Sequence, residues 1–338
     1  MKPGSGEIRK VLVVKPSALG DIVHSLPFLA ALRRRFKDAL IHWVVALPFA
    51  GLLEGHPMVD RLWVVNKDLW KRLSRSGETV REIRALLSGL RKERFDLAVD
   101  LQGLLRSGVM TGASRAPVRV GFSEAREGSR LFYTHRVKGG RDVHAVDRYL
   151  KVAAFLGCDT TEVSFPLPSA PEAREIFPEL PPRYAVIAPG AGKAANRWPE
   201  ERFGELAARL SIPSVVISGR SDAALAGRVA AASGGKALSL AGRTGIRELI
   251  AVIKGAGYFI SNDTGPMHIA AALGVPVFAI FGPANPVRTG PYGEGHTVFR
   301  EELECSPCYA RKPCKEDLRC LRAITVERVL GEIRAKQG

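Results

Sequence analysis

The chain has 338 residues, 46% hydrophobic and 25% charged. That length suits two buried cores, and the composition excludes a disordered chain. The residues before Val11 hold no apolar stretch of the secretory kind, and runs such as Val11–Val14 fall far short of the roughly 20 residues a membrane span needs. A cytoplasmic protein is expected. The net charge is +16, unevenly spread: residues 1–170 carry 28 Lys and Arg against 17 Asp and Glu, and the remainder 22 against 17. A basic first half points to an anionic partner, whether nucleic acid, an acidic membrane surface or a phosphorylated substrate, or else to a merely solvated basic surface.

Along the chain, Lys10–Val14 is β-branched without polar alternation, as in a buried parallel strand. The loop to Gly20 follows, and then Asp21 opens a segment with Ile22, Leu26, Leu29 and Leu32 at helical spacing and arginines at its end, where they suit the helix dipole. Strands are predicted at Ile41–Ala46, Arg61–Val65 and Leu97–Asp100, with a helix over Thr79–Arg94. Six prolines in the stretch from Phe165 to Pro182 mark a boundary. The pattern then restarts with a strand at Tyr184–Ala188, a glycine turn at Pro189–Gly192 and a helix at Glu200–Leu210. Strands at Ser214–Ser218, Tyr258–Ser261 and Val275–Phe281 alternate with helices at Asp222–Ala232, Ile246–Lys254 and Thr264–Leu273. This β-loop-α repetition predicts an α/β protein with two doubly wound, Rossmann-like domains, 1–170 and 171–320, facing a cleft at the carboxyl ends of their strands. The residues 321–338 hold a last helix, near Val326–Ala335, expected to pack back on the first domain.

The chain has no Walker A pattern and no G-x-G-x-x-G after the first strand, and Gly190–Gly192 is only a partial dinucleotide fingerprint. ATPase and dehydrogenase chemistry lose their usual support. Three constellations remain. Gly190, Ala191 and Gly192 are followed by Lys193, Asn196 and Arg197 ahead of a helix, which suits a diphosphate as well as an ordinary strand-to-helix connection. Asp263, Thr264, Gly265 and His268 gather at a strand's carboxyl end; Asp263 reads either as a helix N-cap or as part of a sugar-phosphate contact. Asp21 is likewise an N-cap or a carboxylate placed to take a proton from an acceptor hydroxyl. With no D-x-D or H-E-x-x-H motif in these loops, leaving-group charge would fall to Lys, Arg and helix dipoles. Aromatics make up only 7% of the chain and do not interleave with the basic residues, so a nucleic-acid partner is not expected.

Five cysteines occur. Cys158 stands alone and reads as a small buried residue. Cys305, Cys308, Cys314 and Cys320 have the number of ligands for a structural zinc or iron–sulfur site, which would lie far from the chemistry above.

The residues that carry these constellations also carry a resemblance. Val11-Leu-Val-Val-Lys-Pro-Ser-Ala-Leu-Gly-Asp-Ile-Val-His-Ser-Leu-Pro27, Asp100-Leu-Gln-Gly-Leu-Leu-Arg-Ser107, Pro189-Gly-Ala, Arg197-Trp-Pro199, Asp263-Thr-Gly-Pro-Met-His268 and Gly282-Pro-Ala-Asn-Pro286 resemble the lipopolysaccharide heptosyltransferases of glycosyltransferase family nine, from about Val11 to Val329. Phe122–Tyr133 with His144-Ala-Val is most like heptosyltransferase I. The resemblance implies a GT-B fold, an ADP-heptose donor, a Kdo-lipid A acceptor, inversion without a metal or other cofactor, and work at the cytoplasmic face of the inner membrane as a peripheral protein. It matches Asp21 to the general base and Asp263, Thr264 and Gly265 to donor contacts. Ser17, Gly20 and Gln102 fall on the acceptor side, with Arg72, Arg75, Arg126 and Arg130 as further acceptor contacts. The chain departs from its relatives at Asn196, where they carry a lysine, and Asp222 is the nearest acidic residue to the expected ribose contact. A family member using a later heptose or another core sugar would keep all these motifs.

Overall fold

The computed structural model describes residues 7–66, 77–310, 314 and 317–337. Arg72 and Arg75 lie outside them. The chain divides between Pro168 and Ser169 into two units, within the proline-rich stretch.

The first unit is built on six strands: β1 (Lys10–Val14), β2 (Leu40–Ala46), β3 (Arg61–Val65), β4 (Leu97–Asp100), β5 (Val118–Phe122) and β6 (His135–Val137). Their order across the sheet is β3-β2-β1-β4-β5-β6, and every pairing is parallel. The second unit repeats this with β7 (Ala185–Ala188), β8 (Ser214–Val216), β9 (Ala237–Ser239), β10 (Tyr258–Asn262), β11 (Val277–Ile280) and β12 (Thr297–Phe299), in the order β12-β11-β10-β7-β8-β9. Both are parallel sheets wound in two directions from a central strand, β1 or β7. Helices on both faces explain why the central strands read as unbroken apolar runs: Val11 to Val14 and Ala185 to Ala188 are all buried.

Most predicted elements stand within a few residues of their expected bounds. The stretch from Asp21 to Leu32 is two helices, Leu19–His24 and Leu26–Arg35, separated at Ser25. Pro27 explains the second start, because a proline is tolerated in a first turn and nowhere deeper. Strands β5, β6, β9 and β12 were not expected; three of them have only three residues, too short for periodicity to register.

The C-terminal helix, Val326–Gln337, contributes to the core of the second unit. Val326, Val329, Leu330 and Ile333 are buried in one core with Trp198, Phe203 and Leu206 of the second unit. Its apolar side is therefore spent on its own unit. Trp198 fixes the arrangement: it is 1% exposed, stacks edge-on to Phe203 at 5.0 Å, and its indole N–H donates to the Ile324 carbonyl at 2.9 Å. An indole can be buried this deeply only because its N–H has a partner.

Two buried histidines of the first unit predict a pH dependence. Trp63 Nε1 donates to His42 Nδ1 at 3.3 Å, and the Met58 N–H donates to His56 Nδ1 at 3.1 Å, so each ring nitrogen is used as an acceptor. Burial holds both rings below the ordinary histidine range, for His56 against the opposing effect of the Pro166 carbonyl. Folding thus favours the neutral rings. Their contribution is complete above the unfolded value of about 6.5 and is lost as the pH falls through the lower folded values. The urea midpoint should drop between pH 7.5 and 5.5, before carboxylates begin to titrate; a flat midpoint over that window would contradict the assignment.

Candidate active site

In a doubly wound sheet the crossovers diverge where the strand order reverses, and the loops at the carboxyl ends of those two strands are left uncovered for a ligand. In the first unit the reversal lies between β1 and β4, in the second between β7 and β10. Most of the candidate residues follow one of these four strands; Arg126 and Arg130 follow β5, and Asp222 follows β8.

In the first unit, Asp21 lies in the first turn of the helix Leu19–His24, and its Oδ2 accepts the Ala18 N–H at 3.0 Å. It reaches back to the N-cap residue without being the N-cap, so its carboxylate stabilises the helix start from inside. Its side chain is 39% exposed, with Lys15 Nζ 3.7 Å from Oδ2. The loop after β4 is tied to the loop after β1 by Gln102, whose Oε1 accepts from Lys15 Nζ and from the Ser17 N–H, each at 3.4 Å. Gln102 is itself held because Asp100 Oδ1 accepts the N–H groups of Gln102 at 2.8 Å and Gly103 at 2.9 Å. Gly103 has φ +69°, a conformation that costs a side-chain-bearing residue energy, and this turns the chain so that both N–H groups converge on one oxygen. The Tyr133 hydroxyl donates to Asp100 Oδ2 at 2.6 Å. Burial pushes the Asp100 carboxyl above its ordinary range despite these hydrogen bonds, and burial with the adjacent Asp100 pushes Tyr133 up as well.

A cavity of about 260 Å³ opens beside these loops, lined among others by Ser17, Gln102, Arg106, Ser107 and Glu127. Gly20 is buried in the helix start. Arg126 and Arg130 are exposed, and the Arg126 N–H donates to the Gly103 carbonyl at 2.9 Å, which brings that segment to the loop after β4.

In the second unit, buried Asn262 at the end of β10 clamps the loop after β7. Its Nδ2 donates to the Pro189 carbonyl at 2.7 Å, and its Oδ1 accepts the Trp198 N–H at 2.9 Å. The residues 189–198 are thereby held at both ends. Within them, Arg197 donates through Nε and Nη2 to the Ala191 carbonyl at 3.2 and 3.0 Å, and through Nη2 to Asp222 Oδ1 at 3.0 Å. Gly190 lets this packing close up: a Cβ there would stand 2.8 Å from Asp222 Oδ2 and push that carboxylate aside. Gly190, Ala191, Arg197 and Asp222 are thus one assembly. Gly192 carries no such restriction, since a Cβ there would meet nothing within 4 Å. Lys193 Nζ donates to the neutral Tyr309 carbonyl at 2.9 Å, and Asn196 closes the short 3₁₀ turn Ala194–Asn196. On the adjacent strand, Thr264 is the N-cap residue of the helix Gly265–Ala272, with Asp263 one position ahead of it and His268 buried in the helix's first turns. The N-cap reading of Asp263 is therefore replaced.

The cysteine cluster also changes place. Cys305, Cys308, Cys314 and Cys320 are free thiols lining one small cavity of about 30 Å³ with Ala195, and Tyr309 directly follows Cys308. The cluster abuts the 189–198 loop and is not remote from it. Among the described residues no three His, Cys, Asp or Glu side chains are grouped to hold a metal ion. Sequence reasoning did not single out Asp100, Tyr133, Asn262 or the buried Lys15; a polar residue closing an otherwise apolar strand, as Asp100 and Asn262 do, is the signal that marks two of them.

These loops lie where comparison with known proteins is decisive. The model of glycosyltransferase family 9 (heptosyltransferase) matches residues 83–318. The chain belongs to that family. It is 32% identical to lipopolysaccharide heptosyltransferase 1 of Pseudomonas aeruginosa PAO1, over 91% of this chain and 89% of that one. It is 28% identical to lipopolysaccharide heptosyltransferase 1 of Escherichia coli K12, over 87% and 94%. The structure of E. coli heptosyltransferase WaaC with ADP-2-deoxy-2-fluoro heptose superposes with a TM-score of 0.77 at 26% identity, covering 96% of this chain and 99% of that one. The fold class is accordingly the α/β architecture of the GT-B heptosyltransferases.

Asn262 should be critical to the second of these loops. Asn262→Leu leaves the Pro189 carbonyl and the Trp198 N–H buried without partners, and should cost about 2–6 kcal/mol, at 1–3 kcal/mol per orphaned group. Urea denaturation reads it, and a loss under about 0.5 kcal/mol would show that the loop is held by other contacts.

Proposed function

We propose that this chain transfers heptose from ADP-heptose to the Kdo region of the lipopolysaccharide inner core, with inversion at the anomeric carbon and without a divalent ion. The observation that carries the reading is the carboxylate of Asp21, fixed through Oδ2 by the Ala18 N–H at the first sheet's switch point while remaining 39% exposed. The names of the relatives, lipopolysaccharide heptosyltransferase 1, and the bound ADP-2-deoxy-2-fluoro heptose of WaaC support the donor and acceptor classes.

The second unit takes the donor. The N–H groups of Gly190 to Gly192 and the start of the helix Gly265–Ala272 offer hydrogen bonds to the diphosphate. The charge of Arg197 is matched by Asp222, whereas Lys193 spends its ammonium on a neutral carbonyl. Lys193 is therefore the cation available to the diphosphate, in the role the relatives' lysine at the position of Asn196 would fill. Asp222 stands close enough to the glycine turn to meet the ribose, and Asp263, Thr264 and His268 the sugar and its phosphate.

The first unit takes the acceptor. Arg126 and Arg130 suit the carboxylates and phosphates of Kdo-lipid A, and Ser17, Gly20 and Gln102 shape its approach to Asp21. The acceptor hydroxyl gives its proton to Asp21 as its oxygen bonds to the anomeric carbon. The bond from that carbon to the phosphate oxygen breaks, its electron pair leaving with ADP, and Asp21 later releases the proton to water. A lipid acceptor puts the reaction at a membrane surface, and the net positive charge of residues 1–170 favours peripheral attachment to the anionic cytoplasmic leaflet. No helix among the described residues is long and apolar enough to cross a membrane.

Transfer to Kdo-lipid A should be seen with ADP-heptose and not with UDP- or GDP-sugars, and should survive chelator; activity with another donor alone would move the function to a different core sugar. Asp21→Asn should lower kcat roughly a hundredfold to ten-thousandfold with little change in donor affinity; near-normal turnover would remove Asp21 as the base. Lys193→Ala should weaken ADP-heptose binding by roughly 10- to 150-fold, the loss of one charged hydrogen bond, as measured by calorimetry.

A further inference from the structure

We propose that Lys15 is a positioning residue for the transfer: a buried cation that turns the Asp21 carboxylate so that Oδ2 faces the protein and Oδ1 is left for the acceptor hydroxyl. The inference rests on the reading of Asp21 as the base.

Lys15 follows directly on β1 and is 2% exposed. A lysine is rarely buried to that extent unless its charge is compensated, because removing an ammonium from water costs several kcal/mol. Its backbone is pinned directly after the side chain: the Trp43 indole N–H donates to the Lys15 carbonyl at 3.3 Å, and the Ala46 N–H donates to the Pro16 carbonyl at 3.0 Å. The ammonium consequently has little freedom. It donates to Gln102 Oε1 at 3.4 Å, lies 5.4 Å from the centre of the Tyr149 ring, and stands 3.7 Å from Asp21 Oδ2. Asp100 adds a second, buried negative group to its surroundings. Burial alone would discharge the amine; Asp21 and then Tyr149 outweigh it, and Lys15 titrates above the ordinary lysine range. The cation therefore persists at any working pH.

Geometry separates this arrangement from a plain structural ion pair. Both protein contacts of the Asp21 side chain, the Ala18 N–H and the Lys15 ammonium, are made at Oδ2, and no hydrogen bond reaches Oδ1 among the described residues. A carboxylate anchored by one oxygen presents the other in a fixed direction, which is what proton transfer from a hydroxyl requires. Lys15 is too deeply buried to touch the acceptor itself. It acts through Asp21, and Gln102 and Tyr149 keep it in place.

The test is a double-mutant cycle on kcat with ADP-heptose and Kdo-lipid A, using Lys15→Met, Asp21→Asn and the pair. Methionine keeps the length and apolar stem of lysine and removes the charge. Lys15→Met should lower kcat by about a hundredfold, the scale of a roughly 1 Å misplacement of a reacting group, while the KM for ADP-heptose stays within about twofold of the parent. In the Asp21→Asn background it should have no further effect, because a positioning residue has nothing left to position. Equal losses from Lys15→Met in both backgrounds, or a kcat within twofold of the parent, would overturn the proposal and leave Lys15 a structural cation. Full activity of Asp21→Asn would instead overturn the base assignment beneath it. If Lys15→Met shows no cooperative melt, the same cycle is run with Tyr149→Phe, which removes one hydroxyl from the ammonium's surroundings. A several-fold loss of kcat absent from the Asp21→Asn background would then support the proposal, and an unchanged or additive kcat would overturn it.

Discussion

The structure depends on one constraint of parallel pairing: each sheet grows in two directions from a central strand, and the backbone on either side of that strand must leave in opposite directions. Where β1 meets β4, and again where β7 meets β10, the connecting helices diverge and the loops at the carboxyl ends of the strands are left uncovered. Asp21, Gln102, the loop from Gly190 to Arg197 and the turn from Asp263 to His268 all follow these strands. Val14 lies opposite Asp100 and Ala188 opposite Ser261, so the pairing that closes each sheet also sets, to within a residue, which side chains emerge at the switch point.

Loops without regular pairing must satisfy their polar groups in another way. Each unit solves this with one buried side chain at the end of a strand: Asp100 gathers two backbone N–H groups and a tyrosine hydroxyl, and Asn262 spans from the Pro189 carbonyl to the Trp198 N–H. Neither is exposed to a ligand. Both give a loop the rigidity that a catalytic or binding group needs, and both do so with short side chains whose few torsions lose little entropy on burial. The Trp198-Pro199 step is structural by the same logic, since Trp198 is sealed in the core and its neighbour Arg197 reaches Ala191 and Asp222.

Charge is handled differently in the two units. In the first, the buried Lys15 lies among Asp21 and Asp100, so its immediate surroundings are acidic although residues 1–170 are strongly basic. In the second, one cation is neutralised by Asp222 and the other, Lys193, is held by a carbonyl next to the cysteine cavity. The cysteine segment thus lies directly against the loop 189–198, a contact that its distance along the chain concealed.

The sequence by itself determined the class of fold, the repetition of the two halves, and the positions of Asp21, the Gly190–Arg197 loop and Asp263–His268, because apolar runs, helical spacing and turn residues are local properties that a chain carries wherever it goes. It misjudged the place of the cysteines and the capping role of Asp263, and it left Asp100, Asn262 and Lys15 as unremarked letters of longer motifs. Those depend on which side chain lies across a sheet or beneath a loop. Gln102 reaches Lys15 over 87 positions, and Trp198 reaches Ile324 over 126. Contacts of that separation arise from the packing of whole layers, so burial, pairing of charge and the direction of a carboxylate oxygen were decided only when the tertiary structure brought the strands together.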